Sequence, residues 1–194
     1  MINKKDITGI ILAGGKSSRM GSDKGFIKLK HKSFVEYSIK ALKSLVNDIL
    51  IVSDNADYDF FGYKRIEDKI KGAGPVAGIY SGLNASETEN NLILSCDIPL
   101  IKTSILKKLI DNTDDDSEII QIESNGKTMP LIALYKKQCA PRFLEALHND
   151  ERRLRRVINT MKTKNVVLTA EEQDTTMNVN TKEELKTIES VYNG

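Results

Sequence analysis

The chain has 194 residues, 40% apolar and 29% charged, the balance of an ordinary folded domain with its own core. Lys and Arg number 29 against 27 Asp and Glu, a net charge of +2. That balance offers no global field for gripping nucleic acid or an anionic membrane, so charge chemistry has to be local. No apolar run approaches the ~20 residues of a membrane span, and none follows the basic amino terminus in the manner of a signal peptide. Cys96 and Cys139 make neither a disulfide framework nor a metal site, so a cytoplasmic protein is expected.

In chain order, Ile7–Ala13 reads as a buried β-branched strand running straight into Gly14-Gly15. Ser33–Val46 reads as a helix opened by the capping-box pair Ser33 and Glu36. Asp48–Ser53 is a second strand, and a polar, aromatic connection leads to a weaker one at Tyr63–Ile66. Pro75 sits in the first turn of a helix reaching about Ala85, followed by a strand at Asn91–Ser95 and a helix at Thr103–Asn112. Beyond Asp114-Asp115-Asp116, strands at Glu118–Ile122 and Met129–Tyr135 flank the turn Ser124-Asn125-Gly126-Lys127. Helices at Pro141–His148 and Arg152–Met161, a strand at Asn165–Thr169 and a helix at Thr181–Tyr192, again with a capping-box pair in Thr181 and Glu184, complete the chain. With no repeat or linker, one domain spanning residues 1–194 is the simplest account. Strand–helix alternation gives an α/β class: a mostly parallel central sheet with helices on both faces, mixed toward the C-terminal half. Ligands in such sheets bind beyond the carboxyl ends of the strands, in the loops beginning at Gly14, Ser53, Glu67 and Cys96.

The stretch Leu12–Gly25 is the most informative. Its glycines let backbone N–H groups approach an anion, and Lys16, Arg19 and Lys24 add three positive charges against Asp23. A loop both glycine-rich and cationic, directly after a buried strand, is what polyphosphate binding demands; a mobile, soluble surface loop is the bland alternative. It is not a P-loop, because five residues rather than four separate Gly9 from Gly15-Lys16-Ser17, and Gly14, Gly15 and Gly21 lack the dinucleotide-fold spacing.

The string Leu-Ala-Gly-Gly-x-Ser-x-Arg-Met-Gly-x-Asp-Lys, from Leu12 to Lys24, resembles the signature of nucleotidyltransferases that activate sugars or cofactors. More specifically it resembles that of the molybdenum cofactor guanylyltransferase family. Gly74-Pro75-Val76-Ala77-Gly78-Ile79, Cys96-Asp97-Ile98-Pro99 and Asn178-Val179-Asn180-Thr181 extend the likeness in the family's order along nearly the whole chain. It implies a three-layer, Rossmann-like nucleotidyltransferase fold in which the terminal phosphate of Mo-molybdopterin attacks the α-phosphorus of GTP. Molybdopterin guanine dinucleotide then forms and pyrophosphate leaves.

On this resemblance Leu12, Ala13, Gly14, Gly15, Lys24, Asp68 and Asp97 bind the nucleotide, and Asp97 holds Mg²⁺. Arg19, Lys24 and Asp97 are catalytic, while Gly74, Pro75, Asn178 and Asn180 are candidates for the pterin substrate. The partners are GTP and Mo-molybdopterin, with molybdoenzymes or cofactor-delivery proteins further along; nucleic acid and membrane are not expected. Each site residue has an ordinary reading beside the functional one. Asp97 could cap the turn before Pro99, Asp68 could be a solvated acid beside Lys69 and Lys71, and Asn180 or Thr181 could only cap the last helix. The family usually carries Pro after that Thr, where this chain has Lys182. Arg152, Arg153, Arg155 and Arg156 read as a solvated face first and an anion-recognising surface second. Cys96 reads as a small buried residue, and His31 and His148 as isolated surface residues.

The nearest alternative activity is a cytidylyltransferase acting on molybdopterin or on a sugar or isoprenoid phosphate. Those relatives typically carry Ala in place of Gly14, and the missing methyl here is expected to admit the larger purine. A non-catalytic protein that binds the nucleotide or chaperones the cofactor is the alternative from another class.

Overall fold

The computed structural model describes residues 2–14 and 23–192. Strand β1 (Ile7–Leu12) is buried along its whole length, as its β-branched run predicts, and takes the centre of the sheet. A short ribbon of β2 (Lys28–Leu29) and β3 (Lys32–Ser33) precedes α1 (Phe34–Leu42), whose start is fixed by the reciprocal Ser33–Glu36 capping box. Then come β4 (Asp48–Val52), β5 (Lys64–Ile66) and α2 (Pro75–Ala85), whose bounds are those the sequence marks. The chain continues through β6 (Asn90–Ser95), α3 (Thr103–Asp111), β7 (Ile119–Ser124) and β8 (Lys127–Lys136). It ends with α4 (Ala140–His148), α5 (Leu154–Ile158), β9 (Thr163–Val167), the single turn α6 (Ala170–Gln173) and α7 (Lys182–Tyr192).

Seven strands form one sheet in the order β5-β4-β1-β6-β8-β7-β9. Every neighbouring pair is parallel except those involving β8, which runs antiparallel to both β6 and β7. The expected mostly parallel sheet, mixed in its C-terminal half, is therefore what the chain builds. Residues alternate along β1: Ile7 and Ile11 join the core under α1 and α3, and Ile10 and Leu12 join the core under α2 and α4. The two cores make the three layers. A third, smaller cluster of Leu29, Phe34, Val179 and Ile188 docks α7 against the ribbon.

Several elements are shorter or shifted relative to expectation. Helix α1 stops at Leu42 rather than Val46, and α5 covers only Leu154–Ile158, because Arg152 and Arg153 precede it in extended or turn backbone. The last strand begins at Thr163, two residues before the expected Asn165, in register with Ile119. Pro130 lies inside β8 where the pairing jumps from Gln121↔Ala133 to Ile122↔Met129, so a bulge accommodates its missing N–H.

The strand order reverses at β1: β4 and β5 continue on one side, while β6 returns on the other. Such a switch point opens a crevice at the carboxyl ends of the two strands. The loops after Leu12 and Ser95 lead into it.

Candidate active site

Pairing persists just past the strand ends. The Ala13 N–H donates to the Val52 carbonyl at 3.0 Å and the Cys96 N–H to the Leu12 carbonyl at 3.1 Å. These bonds hold Ala13-Gly14 and Cys96-Asp97 side by side at the mouth of the crevice. The segment before α7 is pinned there too, by the Val179 N–H donating to the Asp97 carbonyl at 2.8 Å.

Three side chains from distant parts of the chain meet at this point. Lys24 Nζ donates to Asp97 Oδ2 at 3.2 Å and to Asn180 Oδ1 at 2.5 Å. Asp97 Oδ1 accepts from the Ser95 hydroxyl at 2.6 Å. Asp97 is thus engaged through both oxygens and does not cap the turn toward Pro99. Thr181 and Glu184 form the capping box of α7, and Asn180 turns its side chain to Lys24 instead. Lys182 stands where the family has Pro, and the cap holds without it. The Lys24 and Asp97 side chains remain 23% and 15% exposed, accessible from the cleft.

Across β1, the amide of Asp68 donates to Asp54 Oδ1 at 3.2 Å. The Asp68 side chain is half-buried, and its Oδ1, closed off from solvent, has no hydrogen-bond partner among the described residues. Burial first, and then the Asp54 carboxylate, push its pKa above the ordinary value, while a hydrogen bond from Ser81 pulls the other way. Asp68 is not the solvated acid its charged neighbours suggest. A Cβ placed on Gly78 would lie 3.3 Å from Leu12 Cδ2 and 3.8 Å from Asp68 Oδ1, so this oxygen is enclosed between the end of β1 and α2.

A cavity of about 620 Å³ adjoins the cluster, reached from Ile98 and Asn178. Met129, Leu131 and Met177 contribute apolar wall, and Lys127 and Arg155 contribute charge. The four arginines divide their work. Arg152, Arg153 and Arg156 pair with Asp150 or Glu151, Arg153 also lining the cavity, whereas Arg155 donates to the Thr128 carbonyl at 3.1 Å at the cavity wall.

The structure brings Lys24, Asp97 and Asn180 together, with Asn178 on the adjoining cavity, and Leu12, Ala13 and Gly14 lie beside them. Gly74 and Pro75 open α2 and do not line the cavity; their loop is tied toward α5 by Arg152 Nη1 donating to the Gly72 carbonyl at 3.3 Å. Gly15 and Arg19 lie outside the described residues. Cys96 and Cys139 are buried, with thiols pushed up mainly by burial, and His31 and His148 are exposed. Lys127, Met177 and Ser95 went unflagged in the sequence, since nothing local distinguishes them from strand and loop residues.

The seven-strand sheet with its switch point at β1 is the fold of nucleotidyltransferases. Solved structures sharing it include a protein of Aquifex aeolicus VF5, with TM-score 0.79, 26% identity and coverage of 90% of this chain and 94% of that one. Another is the molybdopterin-guanine dinucleotide biosynthesis protein A of Archaeoglobus fulgidus, with TM-score 0.82, 19% identity and coverage of 96% and 98%. Residues 9–166 match the model of the MobA-like NTP transferase domain. A Flavobacterium johnsoniae protein named "Probable molybdenum cofactor guanylyltransferase" is 39% identical over 92% of this chain and 94% of its own length. The "Molybdenum cofactor guanylyltransferase" of Desulfosudis oleivorans is 30% identical over 95% of each. The chain belongs to the molybdenum cofactor guanylyltransferase family, within the MobA-like NTP transferases.

Proposed function

We propose that this chain transfers the GMP unit of GTP to the terminal phosphate of Mo-molybdopterin in the cytoplasm. A phosphate oxygen of the pterin attacks the α-phosphorus, the α–β anhydride bond breaks, and pyrophosphate leaves with the electron pair. The nucleophile is already an anion, so no general base is required; the obstacle is repulsion between two anions. The observation that carries this reading is the meeting of Lys24 with Asp97 and Asn180 at the switch point, beside an apolar cavity with a cationic rim.

In this reading the guanine lies toward Asp68, whose carboxylate suits the N1–H and exocyclic amine of the base. The triphosphate passes Gly14 to Lys24 and, from the resemblance, Arg19. The cavity holds the pterin, with Lys127 and Arg155 facing its negative charge. Among the described residues a Cβ at Gly14 would meet only the Val52 carbonyl, at 3.9 Å, so the described part of the fold does not itself demand glycine there. That room supports the idea that the missing methyl serves the purine.

The donor set suits Mg²⁺. One carboxylate and one carboxamide oxygen, from Asp97 and Asn180, already converge on a single cationic group, and Mg²⁺ takes the rest of its shell from phosphates and water. Among the described residues no three His, Cys, Asp or Glu side chains group into a closed cage. Bound there, the metal would supply charge screening between phosphate groups. Lys24 neutralises the triphosphate, and Asn178 and Asn180 orient the acceptor.

Purified protein with GTP, Mg²⁺ and Mo-molybdopterin is expected to release pyrophosphate in step with molybdopterin guanine dinucleotide, read by mass. A clear preference for CTP would overturn the guanine assignment, and nucleotide binding without product would favour a carrier.

A further inference from the structure

Lys24 is delivered to the cluster by a short segment whose support lies elsewhere in the chain. Asp23 caps the single 3-10 turn Lys24–Phe26, its Oδ1 accepting from the Gly25 N–H at 3.1 Å. The same oxygen accepts from the Tyr58 hydroxyl at 2.5 Å, and Oδ2 accepts from Asn55 Nδ2 at 3.1 Å. Asn55 uses its other amide end as well, accepting from the Asp57 N–H at 3.0 Å. The Tyr58 ring is fully buried and packs against Phe26 at a tilt of 40°, with centroids 4.6 Å apart. Glycine at 25 is what lets the phenol reach the acid, because a Cβ there would fall 2.0 Å from the Tyr58 oxygen.

One residue before Asn55, Asp54 accepts from the Asp68 amide. Residues 54–58 therefore touch both sides of the nucleotide site, the base-side acid through Asp54 and the phosphate-side lysine through Asn55 and Tyr58.

We propose that Tyr58, assisted by Asn55, is a positioning residue that fixes Lys24 through Asp23, so that residues 54–58 form one strut under both the base and the phosphates. This rests on Lys24 meeting the triphosphate, as proposed above. Burial and the neighbouring acids raise the Tyr58 pKa far above its ordinary value, so the hydroxyl stays protonated and keeps donating throughout the working range. Tyr58→Phe removes that one donor and keeps the buried ring.

The test is a double-mutant cycle of Tyr58→Phe with Lys24→Ala, because coupled residues give non-additive losses. Tyr58→Phe alone is expected to lower kcat/KM for GTP about tenfold, divided between a lower kcat and a higher KM. Added to Lys24→Ala, it should cost less than twofold more. A merely structural role would lower kcat alone, through loss of active protein, and by the same factor in both backgrounds; that result overturns the proposal. So does a Tyr58→Phe enzyme matching wild type while Lys24→Ala is crippled. Asn55→Ala, which leaves the aromatic cluster intact, is expected to show the same non-additivity and covers the case in which Tyr58→Phe folds poorly. If wild type makes no dinucleotide, the functional reading fails separately. The same proteins are then compared for GTP binding by calorimetry, where weakening by Tyr58→Phe only when Lys24 is present supports the strut, and equal weakening or none overturns it.

Discussion

On the side of the cleft proposed for the phosphates, Lys24 lies between Asp97 and Asn180, and Asp97 has a second donor in Ser95. Across β1, the half-buried Asp68, proposed to face the base, keeps one carboxylate oxygen with no donor among the described residues. A ligand arriving on the phosphate side exchanges one set of partners for another, so the cluster contributes more to orienting and neutralising the reacting groups than to raw affinity. On the side proposed for the base, a ligand donor answers a carboxylate that burial has already withdrawn from water. There the gain appears as binding and selectivity, since a site built to hydrogen-bond a base strongly rejects one that cannot answer it.

The largest effects are expected on the phosphate side. Lys24→Ala and Asp97→Ala should each raise the barrier by about 2.7–4 kcal/mol, a hundredfold to a thousandfold in kcat, by analogy with loss of a single oxyanion-stabilising donor. Steady-state turnover checks this, and near-normal rates in either variant would break the contrast. On the base side, Asp68→Asn should leave kcat comparatively intact and weaken GTP binding. The expected size is about 1.5–3 kcal/mol, the worth of a hydrogen bond to a charged group, read as Kd by calorimetry. Gly14→Ala sharpens the same side: a methyl beside the base should cost about 1–2 kcal/mol in kcat/KM for GTP and less for CTP. Its thermal stability should hardly move, because among the described residues the added carbon meets only a carbonyl oxygen at van der Waals distance.

These two sides were unequally legible in the sequence. Each member of the phosphate cluster could be named from a motif, but Lys24 lies 73 residues from Asp97 and 156 from Asn180. Only the strand order, with β6 returning beside β1, brings them together. Helix α2 was legible to the residue because Gly74 and Pro75 mark its start, and the capping boxes at Ser33 and Thr181 were legible for the same local reason. The β2–β3 ribbon turns at Lys30-His31, which carries no turn signal of the usual kind, and α5 was overextended because its flanking arginines look helical while they bind Glu151 and Asp150. Tyr58 was invisible as a support. In a polar connection a tyrosine looks like surface, and its burial depends on an absent side chain at Gly25, far away in sequence.

The smallest expected effect is on stability, and its sign separates the two sides most cleanly. Burial raises the Asp68 pKa in the folded chain, so the stability this group contributes is present in full below the ordinary carboxylate value near 4 and is lost as pH rises through the raised one. Asp68→Asn removes the ionisation. The variant should match wild type in acid, then become the more stable protein toward pH 7–8, by about 0.5–2 kcal/mol, the usual size of a stabilising substitution at a functional site. Thermal melts across pH read the difference directly. GTP should shift the wild-type melting temperature more than that of Asp68→Asn, because the carboxylate meets two base donors with two charged oxygens, whereas the carboxamide offers one neutral acceptor and sets an N–H group against the other donor. The neutralising substitution on the other wall, Asp97→Asn, weakens an ion pair with Lys24 and should be neutral or destabilising at the same pH. Equal gains from both substitutions would mean that the two walls are not built differently after all.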